Sequence, residues 1–164
     1  MSDIVKPAAS PPPPRRRARR RPEIDYGILP DLVGYHLRRA QVAVFQDFTA
    51  EMAGAAVSPG QFGMLVLIAA NEGLNQSALG EAMAVDRSTV VAVIDKLEAL
   101  GWVERAPSPL DRRANALKLS PVGRDLVRRL TARVRAHEAR ITAGLSQAEQ
   151  AELIRLLGRI ADGG

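Results

Sequence analysis

The chain has 164 residues, 46% of them hydrophobic, and a formal net charge of +5, which suits one domain with a real core. It contains no cysteine, which excludes disulfides, thiol catalysis and cysteine-based zinc sites, and no apolar run approaches the roughly 18 residues of a membrane span. We therefore expect a soluble cytoplasmic protein without metal or cofactor and, because no catalytic triad or glycine-rich phosphate loop is visible, not an enzyme.

The positive charge is concentrated in residues 1–22. Seven basic residues against Asp3 give this segment a net charge of +6, whereas the remainder holds 16 basic and 17 acidic residues. The stretch "PAASPPPPRRRARRRP" has no hydrophobic period and predicts a disordered, solvated tail. It is either a solubilising leader or an arm that adds non-specific attraction to phosphates.

Helical patterns begin after the tail. Apolar residues at three- and four-residue steps predict one long helix from about Leu29 to Gly54. A second, short helix is predicted with Ser58 as N-cap and Pro59 in its first position, closed by Gly73. Because it is apolar on nearly every side, we expect it to lie at the centre of the core.

The next two predicted helices have the build of a helix-turn-helix. The first buries Leu79, Met83 and Val85, and the second is capped by Asp86 and ends before Gly101. Its predicted inward face consists of Val90, Val93, Ile94, Leu97 and Leu100. In such a motif the first turn of the second helix meets base edges in the major groove. The candidate DNA contacts are Arg87, Ser88, Thr89, Ala92 and Lys96. An Arg-Ser-Thr start is also an ordinary helix cap, so this helix alone does not decide the function.

A β-ribbon is predicted directly after this helix. The segments "GWVERAP" and "ANALKLS" alternate like short strands, and "SPLDRR" between them has the residues of a turn. A ribbon in this position is a wing, and its tip carries Arg112 and Arg113, whose guanidinium groups suit a narrow minor groove. We expect Asp111 to fix the loop by pairing with an arginine, because phosphates would repel it. Taken alone, the same three residues also fit a solvated turn.

Two further helices complete the chain. The first carries a stripe of Val122, Leu126, Leu130, Val134 and Ile141. The second opens with a capping box of Ser146 and Glu149 and presents Leu153, Leu157 and Ile160. These last three residues are the candidate dimer contacts, because C2 pairing would bury them. Packing within a monomer is the alternative.

The block "LGEAMAVDRSTVVAVIDKLEALGWVERAPSPLDRRANALKLSPVGRDL" resembles the MarR family of bacterial winged-helix transcriptional regulators. The family's D-x-R wing signature appears as Asp111 and Arg113, and its LT-x-x-G passage as Leu119, Ser120 and Gly123. The resemblance implies a mainly α, winged-helix (α+β) fold of six helices with a two-stranded β-wing. It also implies a homodimer, double-stranded DNA as partner, and repression relieved by a small molecule.

The composition of the tail, which the shared fold does not require, and this resemblance together divide the chain into four predicted regions. They are a tail at 1–22, an N-terminal dimerisation helix at 23–57, a DNA-binding region at 58–120 and C-terminal dimerisation helices at 121–164. A two-fold dimer would place its recognition helices about 34 Å apart and require a near-palindromic operator.

The effector side is less defined. In this family the first long helix borders the effector cleft, and there it carries Tyr35, His36, Arg38, Arg39 and Phe45. Cations beside an aromatic wall suit an organic anion, although these arginines also fit surface or interface salt bridges. The segments "LRRAQVAVFQDF", "PGQFGMLVLI" and "PSPLDRR" are similar to a branch associated with aromatic-acid catabolism, which includes regulators that respond to hydroxycinnamoyl-CoA thioesters. The resemblance implies a repressor of a catabolic operon whose arginines receive CoA phosphates. It does not assign this role to a particular arginine.

Two other functions account for the same features. A ligand-independent architectural DNA-binding protein would bind duplexes with weak sequence preference and no effector response. A winged-helix protein-interaction module would tolerate Arg113→Ala in every DNA assay.

Overall fold

The computed structural model describes residues 24–107 and 115–163. A 3-10 turn at Leu29–Asp31 precedes six helices and two strands, which in chain order are α1 (Val33–Glu51), α2 (Pro59–Ala70), α3 (Gln76–Met83), α4 (Arg87–Ala99), β1 (Val103–Pro107), β2 (Asn115–Leu119), α5 (Pro121–Ile141) and α6 (Gln147–Ala161). The strands pair antiparallel, with Val103 opposite Leu119 and Pro107 opposite Asn115. This architecture confirms the predicted winged-helix fold.

The first long helix begins later than the sequence pattern predicts. Pro30 lies in the 3-10 turn, and Leu32 is extended, with φ −98° and ψ 121°. The carbonyl of Leu32 then accepts the amide of Tyr35 at 3.1 Å, which opens α1. The ring of His36 fixes this entry, since its Nε2 lies 2.7 Å from the carbonyl oxygen of Pro30.

The core is built around α2, as its apolar sequence predicted. This helix packs against α3, α5 and β2, and its buried residues share one hydrophobic cluster with those of α1, α4 and β1. The buried side chains of the central layer include Met64, Leu65, Ile68, Leu79, Val90, Ile94, Leu97 and Leu117. The N-cap at Ser58 is confirmed and extends to a capping box with Gln61, whose side chain accepts the amide of Ser58 at 3.0 Å.

Two residues assigned to inward faces are exposed instead. Leu100 is 46% exposed, because α4 ends at Ala99 and Gly101, with φ +71°, turns the chain away into β1. Val122 is 59% exposed, because it lies in the first turn of α5 at the edge of the face that buries Leu126 and Leu130.

A tight corner joins the wing to α5. A Cβ on Gly123 would lie 2.0 Å from the carbonyl oxygen of Trp102, so only glycine fits. Ser120 donates from Oγ to the carbonyl of Gly101 at 2.6 Å and accepts the amide of Gly123 at 2.9 Å. Its own amide donates to the carbonyl of Trp102 at 3.0 Å. These contacts give a physical reason for a Ser/Thr and a Gly at this spacing.

Candidate nucleic-acid interface

The first turn of α4 is organised by Asp86. Its Oδ1 accepts the amide of Thr89 at 2.9 Å and the hydroxyl of Ser88, and its Oδ2 accepts the hydroxyl of Thr89 at 2.7 Å. These donors, the Ser88 hydroxyl first, hold the pKa of the Asp86 carboxyl well below its usual range. The turn is therefore a fixed, anionic cap, which confirms Asp86 as the N-cap of this helix.

The structure exposes the residues of α4 that the sequence analysis selected. Arg87, Ser88, Thr89, Ala92 and Lys96 are all exposed. At 100° per residue, Ser88, Thr89, Ala92 and Lys96 share one side of the helix. Arg87 lies apart from them, beside a shallow depression lined by α3 residues such as Gln76 and Glu81. The small Ala92 leaves the centre of this side flat.

A salt-bridge cluster that sequence reasoning missed fixes α4 against the wing. Arg105 on β1 pairs with Asp95 and Glu98, which lie three residues apart on α4. With its amide oxygen turned toward this guanidinium, Gln76 of α3 accepts from Arg105 at 3.0 and 3.1 Å. Asp95 is the main reason that the pKa of Arg105 is raised. One arginine thereby connects both helices of the helix-turn-helix to the first strand of the wing.

The predicted wing tip lies outside the described residues. The strands that carry it are paired up to Pro107 and Asn115, and Lys118 pairs with Glu104 across them at 2.9 Å. Asp111, Arg112 and Arg113 belong to the segment 108–114, so their roles stay predictions.

The predicted effector residues fall into two groups on α1. Arg39 lies over the ring of Tyr35, with Cζ 5.6 Å from the centroid, and the ring of His36 meets Tyr35 edge-on at 5.5 Å. Arg38 donates to Gln41 at 3.1 Å. Phe45 is 47% exposed but lies about 15 Å further along the helix axis, so it does not join this cluster.

Neither Arg38 nor Arg39 forms an ion pair within the part of the chain that the structure describes. Among the described residues, the salt-bridge alternative is therefore not met. Pairing across a dimer interface stays open as an alternative.

A second network that the sequence did not reveal joins α1 to α5. His137 is buried and its Nδ1 lies 2.7 Å from Oδ1 of Asp47. Arg140 donates to Asp47 at 2.9 Å and to Glu51 at 2.7 Å. Arg140 first, and His137 second, hold the pKa of Asp47 below its ordinary value. The ring of His137 also meets the ring of Phe48 edge-on at 5.5 Å, so this buried side chain has both a polar and an aromatic contact.

An open apolar cleft separates α1 from α6. Its volume is about 540 Å³, and it is lined mainly by aliphatic side chains of α1, the end of α5 and α6, with His36 at its edge. No residue of α6 is buried, and Leu153, Leu157 and Ile160 are 43%, 38% and 54% exposed. The capping box of Ser146 and Glu149 is confirmed at its start.

Comparison with known proteins identifies the family. A family model described as MarR family matches residues 57–114. A protein of Thauera aromatica, described as a putative transcriptional regulatory protein for the hcr operon, is 42% identical over 139 residues, which cover 84% of this chain and 84% of that protein. The chain belongs to the MarR family.

Solved structures agree with this assignment. The transcriptional repressor CouR bound to a 23-mer DNA duplex has a TM-score of 0.80 at 38% identity, covering 85% of this chain and 99% of that one. CouR bound to p-coumaroyl-CoA has a TM-score of 0.79 at 35% identity, covering 87% and 100%. The PcaV regulator from Streptomyces coelicolor in complex with its natural ligand has a TM-score of 0.77 at 29% identity, covering 85% and 99%.

Membership of the MarR family places the chain among DNA-binding transcriptional regulators. No helix within residues 24–107 and 115–163 is long and apolar enough to cross a membrane. The same residues hold no group of three or more His, Asp or Glu side chains that could bind a metal ion.

Proposed function

We propose that the chain is a homodimeric repressor of a catabolic operon that leaves a near-palindromic operator when it binds an aromatic acid or a hydroxycinnamoyl-CoA thioester. One observation carries the proposal. The fold matches CouR at TM-scores of 0.80 and 0.79, in one case bound to DNA and in the other to p-coumaroyl-CoA. A single fold that holds either partner is what a ligand-released repressor requires.

The DNA side of the proposal rests on α4. Its exposed side offers two short hydroxyls, a small alanine and a lysine, which permits close approach to base edges and one phosphate contact. The salt bridges from Arg105 to Asp95 and Glu98 hold this helix at a fixed angle to the wing. Arg113 is assigned to the minor groove as the wing cation, and Asp111 to fixing the wing loop.

The dimer rests on α6. An amphipathic helix with no buried residue leaves an aliphatic face in water, which is costly unless another surface covers it. The face borders the 540 Å³ cleft along α1, so a second copy related by a two-fold axis would bury both. Leu153, Leu157 and Ile160 are the proposed contacts.

The effector side rests on Tyr35 and Arg39. A guanidinium over an aromatic ring, with no carboxylate partner among the described residues, suits an anion that carries an aryl group. Arg38 stands beside it as a second cation for a carboxylate or for CoA phosphates. The ring of His36, whose Nε2 lies 2.7 Å from the carbonyl oxygen of Pro30, meets the ring of Tyr35 edge-on.

The proposal is tested by fluorescence anisotropy with duplex DNA from upstream of the protein's own gene and a scrambled duplex, with aromatic acids and their CoA thioesters as competitors. We expect tight binding to the upstream duplex alone and release by one compound. Equal, salt-sensitive binding to both duplexes that no compound changes would contradict the proposal in favour of an architectural protein.

Two variants sharpen this test. Arg39→Gln should keep operator affinity and require about tenfold or more ligand for release, since a charge-assisted contact is lost. Arg135→Gln, which removes an exposed arginine of α5, is the matched control and should behave like the wild type. Equal release curves for all three proteins would remove Arg39 from the effector site.

A further inference from the structure

The hydrogen-bond directions in the first turn of α4 carry information about which bases it reads. We propose that Ser88 and Thr89 face the DNA only as hydrogen-bond acceptors and therefore select an amino-bearing base, adenine or cytosine, at one position of each half-site. This inference rests on the proposed function, because it requires α4 to enter the major groove.

The direction of the hydrogen bonds to DNA follows from the number of hydroxyl hydrogens available in the first turn of α4. A hydroxyl carries one hydrogen and two lone pairs. The hydrogen of Ser88 is donated to Oδ1 of Asp86, and the hydrogen of Thr89 is donated to Oδ2 at 2.7 Å. Both side chains are exposed. What each hydroxyl still offers outward is therefore a lone pair.

The side chain of Asp86, like the two hydroxyls that it orients, offers only hydrogen-bond acceptors outward. An ionised carboxylate only accepts, and the bonds that it receives from Ser88 and Thr89 favour its ionised form. The three side chains together thus form a cluster that donates no hydrogen outward. Arg87, the donor side chain next to Asp86 in the sequence, lies on another side of the helix.

The base edges in the major groove pair differently with a cluster of hydrogen-bond acceptors than with a donor. Adenine presents its N6 amino group there and cytosine its N4 amino group, whereas guanine presents O6 and N7 and thymine presents O4. An acceptor facing O6 or O4 meets another acceptor and leaves both without a partner. Discrimination therefore favours A or C over G or T by about 3- to 10-fold, the value of one neutral hydrogen bond.

The test begins with selection from a pool of randomised duplexes, using the wild-type protein and the Ser88→Ala and Thr89→Ala variants. We expect an A or C preference at one position of each half-site that weakens in one of the alanine variants. Replacing that base by 2-aminopurine for adenine, or 2-pyrimidinone for cytosine, removes the amino group and should weaken wild-type binding about 3- to 10-fold. The same replacement should leave the responsible alanine variant unaffected.

Asp86→Asn supplies the decisive variant. Asparagine is as good an N-cap as aspartate, so α4 keeps its start. Because Oδ1 of Asp86 accepts the Ser88 hydroxyl and the Thr89 amide, the amide oxygen of asparagine keeps that place. The amide nitrogen takes the place of Oδ2 and donates to the Thr89 hydroxyl, which then turns its own hydrogen outward. If Thr89 is the residue that Thr89→Ala identifies, the preference should move toward G or T; if it is Ser88, the preference should stay. Asp125→Asn, which removes an exposed carboxylate on α5 with the same change of charge, should keep the wild-type preference.

Three results would overturn the inference while duplex binding persists. They are a G or T preference of the wild type at the affected position, a preference that both alanine variants retain, and a response to Asp86→Asn opposite to that expected for the residue that the alanine variants identify. Absence of binding to any duplex in the pool would instead refute the proposed function, and the inference would fall with it. Thermal melting of each variant shows that the fold is intact in these comparisons.

Discussion

Gly123 is the residue whose replacement has the clearest structural consequence. A methyl group there would lie 2.0 Å from the carbonyl oxygen of Trp102, and its three nearest atoms all belong to the backbone of Trp102, so no flexible side chain can move aside. We expect Gly123→Ala to lower the free energy of unfolding by at least about 3 kcal/mol in urea denaturation. Gly60→Ala is the control, because nothing lies within 4 Å of its added Cβ. Similar free energies of unfolding for the two variants would show that the backbone at the corner can move to accommodate the added methyl group.

Asp47 gives the protein a pH dependence of known sign. Its folded-state pKa lies below the ordinary value of 3.8 because Arg140 and His137 bind the ionised form. Its contribution to stability is therefore present above the unfolded-state pKa and is lost as the pH falls through the folded-state pKa.

We expect the difference in free energy of unfolding between the wild type and Asp47→Asn to shrink as the pH falls from about 6 to about 2. Urea melts at a series of pH values measure it. Asp125→Asn, in an exposed i,i+3 pair with Arg128, is the control. A difference for Asp47→Asn that stays constant over this range would rule out linkage through this carboxyl.

At the scale of elements, Arg105 fixes α4 to β1, the first strand of the wing. Without it, α4 loses an anchor, and the carboxylates of Asp95 and Glu98 are left uncompensated near DNA phosphates. Arg105→Gln should therefore weaken operator binding on the order of tenfold in anisotropy titrations at matched salt. Arg128→Gln removes the same charge from an exposed pair on α5 and should change little. Equal affinities would exclude a positioning role for Arg105.

The elements that the sequence predicted well are those whose signals are local. The caps at Ser58, Asp86 and Ser146 and the alternation of the two strands depend on neighbours within a few residues. The prediction that Leu100 is buried was wrong, because a three- to four-residue period does not show where the last turn of a helix loses contact with the core.

The site was only partly visible in the sequence, because its networks join distant segments. Asp47 and His137 are 90 positions apart, and no periodicity relates them. Arg105 lies on the same face of β1 as the buried Val103, opposite the buried Leu117, where strand alternation predicts an apolar residue and not an ion pair. For Arg105 the available signal was the pair of acids three residues apart on α4, which suggests a shared cation.

At the scale of the whole molecule, residues 24–107 and 115–163 leave the aliphatic face of α6 uncovered. Leu157→Glu places a charge in the middle of its exposed aliphatic face. We expect this variant to be monomeric by light scattering at concentrations where the wild type is dimeric, because burying an unpaired carboxylate costs several kcal/mol. Val122→Glu, in an exposed part of α5, should stay dimeric. A dimeric Leu157→Glu protein would refute the proposed interface.

The corner at Gly123 also connects the wing to α1 through a single helix. From this corner α5 runs about 21 Å to His137, where it is bound to α1 through Asp47. At its start, Ser120 binds it to the backbone of Gly101 and Trp102. We therefore expect a ligand that shifts α1 at Asp47 to change the position of the wing through α5.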